Sequence, residues 1–429
     1  MTLAPEPRRG GRPPVRAIVL SGGGARGAYE AGVLRFVLDE LPKRLGHPIR
    51  FDLICGTSVG AIHACYLAAT AHVKSGAGLR LEEVWKGFRL DEVLPLSTGD
   101  FLRLPRRIVG LWRGGAPRGS ALPDRLAGLL DTQRLSEIVE RSIPWRQVRR
   151  NVTDGRVAAV CVAATQIATG RTVVFVENRE RRAGPWTGDP SIVVRPARLL
   201  PAHALASAAI PILFPAVRVG STYYSDGGLR LNTPLMPAVY LGADRVLVVG
   251  LSHRTRDHED AAQAEPRLEA YGNPVFLFGK VLNALLLDHL DTDLGRMRLV
   301  NEILRRGEEA YGPEFLARLN AAGRVERGVA YRRIDDLVIR PSLPLGQVAA
   351  SVLESKRAEA KLPPLLRLFL STFGSRSAAA EADLVSYLMF DGAYAGPAMD
   401  LGFADARARE EELARFFSDD VEAAGEGPG

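Results

Sequence analysis

The chain has 429 residues, room for two to three average domains or for one large α/β domain with an appendage. It is 46% hydrophobic and 24% charged, a globular balance that excludes a disordered or low-complexity chain. Its net charge of +7, carried almost wholly by arginine, fits an anionic partner such as a lipid surface or a nucleic acid without choosing between them.

Residues 1–14, MTLAPEPRRGGRPP, read as a disordered Pro/Gly/Arg tail. The apolar run after it, Ala17–Leu20, is too short for a signal peptide, and no stretch approaches the length of a membrane span. Cys55, Cys65 and Cys161 sit in apolar contexts without metal-type spacing. They read as small buried hydrophobes in a reducing compartment. The expectation is a cytoplasmic protein, soluble or peripheral on a membrane.

Residues 16–21, RAIVLS, form a short strand, followed by the glycine loop 21–27, SGGGARG. A helix is expected from about Ala28 to Leu45, with Val33, Leu34, Val37, Leu38 and Leu41 on one face. Residues 51–56 are a second strand, running into Gly56-Thr57-Ser58-Val59-Gly60 and an apolar helix, Ala61–Ala71. This βαβα opening calls for a parallel sheet covered by helices.

Residues 81–150 lack strand character. Within them, 101–119 mixes Arg103, Arg106, Arg107, Arg113 and Arg118 with aliphatics and Trp112. That composition suits a membrane interface, and equally an amphipathic helix packed on the core. A short helix spans 134–142. Strands at 156–165 and 172–176, with Ala168-Thr169-Gly170-Arg171 between them, make a hairpin. A helix at 198–209 ends at Ile210-Pro211, a strand or hairpin at 217–225 leads to Asp226-Gly227-Gly228, and a helix at 234–241 precedes a buried strand at 245–251. Beyond Ser252 the chain turns polar, then helical, with a single short strand at 336–340. The expected division is a tail at 1–14, a catalytic domain at 15–252, a linker at 253–270, a helical extension at 271–417 and a frayed tail at 418–429.

Three motifs carry chemistry. Strand, Gly-x-Ser-x-Gly turn and helix make a nucleophile elbow, with Gly56 and Gly60 allowing close packing and Ser58 exposed at a helix amino end. A serine capping a buried helix is the plainer alternative. Gly22, Gly23, Gly24, Arg26 and Gly27 fit G-x-G-x-x-G, formally a dinucleotide fingerprint. The second strand, however, ends in Cys55-Gly56 with no acid to hold a ribose. The same glycines can form a nest of N–H groups aimed at an oxyanion. Asp226 before Gly227 and Gly228 is, taken alone, an ordinary tight-turn aspartate.

A serine nucleophile needs a proton acceptor. His47, His63, His72, His203, His258 and His289 are poorly placed, and only His253 follows a strong strand.

Taken together and in this order, GGGARG, GTSVG and DGG resemble the patatin-like phospholipase family over about residues 15–252. Ser207, Pro211, Phe214 and Pro215 in ASAAIPILFP, and Asn232 and Pro234 after the DGG, extend the likeness. The resemblance implies a three-layer α/β/α sandwich with a mainly parallel central sheet. It implies a Ser58–Asp226 dyad, and an oxyanion loop of Gly22, Gly23, Gly24, Arg26 and Gly27. The implied activity is hydrolysis of acyl esters of phospholipids or related lipids, without metal or cofactor and with contact to a membrane surface. No nucleic acid is expected as partner. Two alternatives stay open: a Ser–His–Asp esterase using His253, and a non-enzymatic nucleotide- or lipid-binding module.

Overall fold

The computed structural model describes residues 13–90, 132–182, 191–211, 213–253, 290–327, 330–358 and 385–418. The basic stretch 101–119, the apolar segment Phe276–Leu287, His258 and His289 lie outside the described residues, as do most of the expected linker and both tails.

β1 (Arg16–Leu20) bends through a 3-10 turn (Gly24–Arg26) into α1 (Gly27–Arg35). α1 continues through a wide turn (Phe36–Glu40) into α2 (Leu41–Leu45), so the expected long helix is present with a π-type bulge at its centre. β2 (Leu53–Thr57) and α3 (Val59–Thr70) follow, then α4 (Ala77–Lys86), α5 (Gln133–Ser142) and α6 (Trp145–Thr153). β3 (Ala159–Gln166) and β4 (Thr172–Asn178) form the expected hairpin, and β5 (Ile192–Pro196) is a strand the pattern did not announce. α7 (Pro201–Ser207), β6 (Val217–Val219), β7 (Thr222–Asp226), α8 (Leu235–Leu241) and β8 (Arg245–Val249) complete the first part. Beyond it lie α9 (Leu290–Tyr311), α10 (Phe315–Arg327), β9 (Asp335–Ile339), α11 (Leu345–Ala358), α12 (Gly392–Ala408) and α13 (Glu410–Phe417).

The strands make one sheet in the order β5-β4-β3-β2-β1-β8-β9, with the β6–β7 hairpin attached to β3. β9, β8, β1, β2 and β3 run parallel. Strands buried on both faces need continuous apolar runs, and β1, β2 and β8 have them. Their alternating side chains feed two cores. Ile18, Leu20, Ile54, Leu247 and Val249 face one side; Ala17, Val19, Cys55, Val246 and Val248 face the other. Helices cover both faces. α1, α3, α4 and α12 pack over the first, and α8 and α9 over the second.

β9 comes from the region expected to be a helical extension, yet it pairs in parallel with β8 across five positions, Asp335 against Arg245 through Ile339 against Val249. α12 packs on α1 with backbones in contact. A Cβ on Gly32 would meet the Met399 carbonyl, and one on Gly402 would meet the Tyr29 carbonyl. The C-terminal segments thus belong to the same sheet and the same core as the motif-bearing part.

Candidate active site

Parallel pairing sets the site. β1 and β2 are in register, Leu20 against Gly56, so the glycine loop and the elbow leave the sheet side by side. Ser58 sits at φ 55 and ψ −125, one of two non-glycine residues with positive φ among the described residues. Such a conformation is disfavoured for a residue with a Cβ and persists only where packing enforces it. The enforcement comes from Gly56 and Gly60. A Cβ on Gly56 would strike the Gly60 carbonyl, and one on Gly60 would strike the Leu20 carbonyl.

Asp226 arrives from β7. That strand pairs with β3 beyond the end of β2, Asp226 opposite Ala164, while Thr57 stands opposite Ala163. Since β4 occupies the other edge of β3 at these positions, β7 prolongs the line of β2. Ser58 Oγ accordingly donates to Asp226 Oδ2 at 2.7 Å. The other carboxylate oxygen accepts the Gly228 N–H at 2.7 Å. Gly227 must be glycine here because a Cβ would meet the Ala163 carbonyl. Both residues are buried, Ser58 at 4% exposure and Asp226 at 0%. Burial raises the Asp226 carboxyl to about 7, against a smaller lowering by the hydrogen bonds from Ser58 and Gly228.

Ser207 holds the elbow from outside the chain segment that forms it. Its Oγ accepts the Ser58 N–H at 2.8 Å and donates to the Ala163 carbonyl at 2.5 Å. The motif ASAAIPILFP singled out Ser207, but nothing in the pattern gave it this task. Asn232 is a second contributor without a sequence-derived role. Its backbone carbonyl accepts the Gly22 N–H at 3.0 Å, and its buried Oδ1 lies against Gly22 with no hydrogen-bond partner among the described residues.

The glycine loop is packed tightly throughout. Gly23 lies under Leu251 and Gly27 under Val59 and Trp85. The Arg26 N–H closes the turn onto the Gly23 carbonyl at 3.1 Å. The Arg26 side chain, read from sequence as part of the oxyanion loop, is buried and donates to Ser386 Oγ at 2.7 Å.

Among the described residues no histidine bonds to Ser58 or Asp226. His253 places Nδ1 2.9 Å from the Pro341 carbonyl. His63 accepts from Trp85 Nε1 at Nε2, 3.0 Å, which puts its proton on Nδ1 facing Glu30 at 2.8 Å. Burial lowers His63 to about 3, and raises Glu30 well above the usual carboxylate range against one backbone hydrogen bond. His203, lowered to about 4 by burial, packs edge-on against Phe175. His72 Nδ1 lies 3.4 Å from Asn151 Nδ2, and His47 is exposed in a loop. The three cysteines are buried, Cys55 opposite Cys161 across β2 and β3. No group of His, Cys, Asp and Glu among the described residues is arranged to hold a metal ion, and no described helix is long and apolar enough to cross a membrane.

Comparison with known proteins agrees with this architecture. A "cGAMP-activated phospholipase" of Pseudomonas aeruginosa is 30% identical over 226 residues, which is 52% of this chain and 55% of that protein. A "cUMP-AMP-activated phospholipase" of Escherichia coli is 44% identical over 71 residues, 16% of this chain and 21% of that one. A "Calcium-independent phospholipase A2-gamma" of Oryctolagus cuniculus is 27% identical over 230 residues, 53% of this chain and 25% of the other. The chain thus spans about half or less of the length of these relatives. The family model described as "Patatin-like phospholipase" matches residues 18–239, just over half of the chain and all three motifs, and the chain belongs to that family.

Proposed function

We propose that the protein is a serine lipid acyl hydrolase that cleaves acyl esters of phospholipids or related lipids through Ser58 and Asp226. The observation that carries this reading is the 2.7 Å hydrogen bond from a positive-φ serine to a buried carboxylate. A carboxylate of ordinary pKa, about 4, is too weak a base to activate a serine at neutral pH. Burial of Asp226 moves it towards the range where it both accepts and returns a proton efficiently.

In the proposed reaction the Ser58 oxygen attacks the acyl carbonyl carbon as its proton passes to Asp226. The carbonyl π pair moves onto oxygen, and the resulting oxyanion is met by N–H groups of the glycine loop. Of the five loop residues expected from sequence, Gly22, Arg26 and Gly27 already use their N–H groups on carbonyls of Asn232, Gly23 and the loop itself, so Gly23 and Gly24 are the donors we assign. Collapse expels the alcohol, which takes the proton from Asp226 and leaves an acyl-Ser58 ester. Water then repeats the sequence, giving the fatty acid and free Ser58. The step needs no metal.

The named activities of the relatives support a phospholipid as substrate. Contact with a membrane surface follows from such a substrate. We assign that contact to the basic stretch 101–119, with the apolar run 276–287 as a second candidate segment. Two relatives are named for a nucleotide activator, and Ser58 is nearly closed to solvent, so cGAMP and cUMP-AMP belong in the assay as additives. The test is covalent. A fluorophosphonate probe with vesicles present should label Ser58, located by mass spectrometry, and labelling should fall sharply in Asp226→Asn. An unlabelled Ser58 in folded protein under all these conditions leaves a non-catalytic lipid-binding protein.

A further inference from the structure

Three consecutive glycines, Gly22 to Gly24, make the loop that faces the proposed oxyanion the least constrained type of backbone a chain can offer. Oxyanion stabilisation demands the opposite, donors fixed before the reaction begins. Beside the Gly22–Asn232 hydrogen bond and the packing of Leu251, Val59 and Trp85, three contacts with one distant segment restrain the loop. Arg26 Nε donates to Ser386 Oγ, 360 residues away in sequence. The guanidinium carbon lies 3.8 Å from the centre of the Tyr387 ring. Gly24, at φ 56, passes so close to the Tyr387 carbonyl that a Cβ there would collide with it.

All of these groups are buried, Arg26 at 6% exposure and Ser386 at 0%. A buried guanidinium holds one orientation when its edge is hydrogen-bonded and its face is stacked, because it is planar and its charge must be satisfied. The gripping segment is itself anchored. Phe390 stacks on Trp85, and the chain runs directly into α12, whose backbone meets α1 at Gly32 and Gly402. α1 is the helix that the loop launches. The same stretch of chain therefore holds the loop and the element behind it. It lies well beyond residues 18–239, where the family match ends.

We propose that Ser386 and Tyr387 are positioning residues for the glycine loop, holding through Arg26 and Gly24 the bend that aims the loop's N–H groups at the acyl carbonyl. The proposal rests on the hydrolase reading above. It makes the C-terminal segment a part of the catalytic apparatus, acting through the loop without touching substrate.

The test uses the full chain with Ser386→Ala, Ser386→Thr, and Ser386→Ala combined with Tyr387→Leu. Two quantities are read: hydrogen–deuterium exchange of the peptide covering the loop, and kcat and KM on a soluble short-chain ester. The loop amides should exchange faster in Ser386→Ala and faster again in the double variant. kcat should fall by about 10- to 100-fold with KM nearly unchanged, as for donors displaced from the transition state. Ser386→Thr, which keeps the hydroxyl, should recover most of the loss. Loop exchange and kcat matching the wild type in Ser386→Ala would overturn the proposal. So would a loss that follows melting temperature and is no smaller in Ser386→Thr. A double variant that fails to fold leaves the Ser386→Ala and Ser386→Thr pair to decide. A wild-type protein that turns over no ester and labels no serine overturns the hydrolase reading instead, and loop exchange still decides the tether.

Discussion

Thr57 and Asp226 occupy consecutive positions along one edge of β3, the first opposite Ala163 and the second opposite Ala164, although Asp226 lies 168 residues beyond Ser58, the residue after Thr57. β2 and β7 meet end to end there, Thr57 and Asp226 each being the last residue of its strand, and Ser58 follows at the junction. Strand register brings the Asp226 carboxylate to the Ser58 hydroxyl.

Asp226 should govern the pH profile. Its carboxyl is raised to about 7 in the folded protein, and only the carboxylate can take the serine proton. kcat/KM on a soluble ester should therefore rise with pH through an acid limb near 7. Asp226→Asn should lose about 10²–10⁴ in kcat and lose the limb with it. Stability runs the opposite way. The raised folded-state pKa contributes stability that is fully present below the unfolded value, 3.8, and is lost as pH rises through about 7. Melting curves of wild type and Asp226→Asn should cross in relative order between pH 4 and pH 8, with the asparagine variant gaining as pH rises.

Ser207→Ala should damage both fold and rate. It strips a partner from the Ser58 N–H and from the Ala163 carbonyl, both buried. Leaving such groups unpaired costs about 1–3 kcal/mol, measurable by denaturant titration. The freed elbow should also lower kcat, because Ser58 loses the bond that fixes its backbone.

Gly60→Ala should be severely destabilising. The added Cβ meets the Leu20 carbonyl at the end of the central strand β1, a backbone atom held by its own pairing. Little soluble protein, or an unfolding free energy lowered by more than about 4 kcal/mol, is the expected outcome. A variant with wild-type stability would mean that the elbow is wider than the packing implies.

His253→Ala should retain near-wild-type kcat, since Nδ1 is occupied by the Pro341 carbonyl and neither carboxylate oxygen of Asp226 is turned to a histidine. A loss as deep as that of Asp226→Asn would restore the Ser–His–Asp alternative.

Arg245→Ala should destabilise without touching the chemistry. Together with Arg16, this guanidinium collects the carbonyls that end α13, bonding Phe416 and Ser418 at 2.9 Å each. Hydrogen bonds from a charged donor contribute about 1.5–3 kcal/mol, so the melting temperature should fall while kcat per folded molecule holds.

Legibility in the sequence followed locality. β1, the glycine loop and α1 could be read in a line because apolar runs, glycines and helical spacing are local signals. So could β2 and the elbow. β5 gives almost no signal, because Ile192–Pro196 is five residues long, half-exposed and ends in proline. Residues 336–340 read as a strand among helices, since nothing local states that the partner of β9 is β8, ninety residues earlier in sequence. Asp226 alone looked like a turn residue, and its meaning came from the company of the other two motifs. The grip of Ser386 on Arg26 had no sequence signal at all. A serine and an arginine 360 residues apart carry no spacing that would join them.

The position of β9 has a consequence for the newly made chain. Ribosomal synthesis delivers β1, β2, β3 and β8 long before residue 335 exists, and during that interval the outer edge of β8 has no partner. β8 reads RVLVV and is buried along its whole length in the finished protein. An unpaired, apolar strand edge is a template for pairing with a neighbouring chain. A nascent chain stalled or cut near residue 250 should therefore self-associate. The last third of the sequence delivers β9, the strand that takes up that edge of β8.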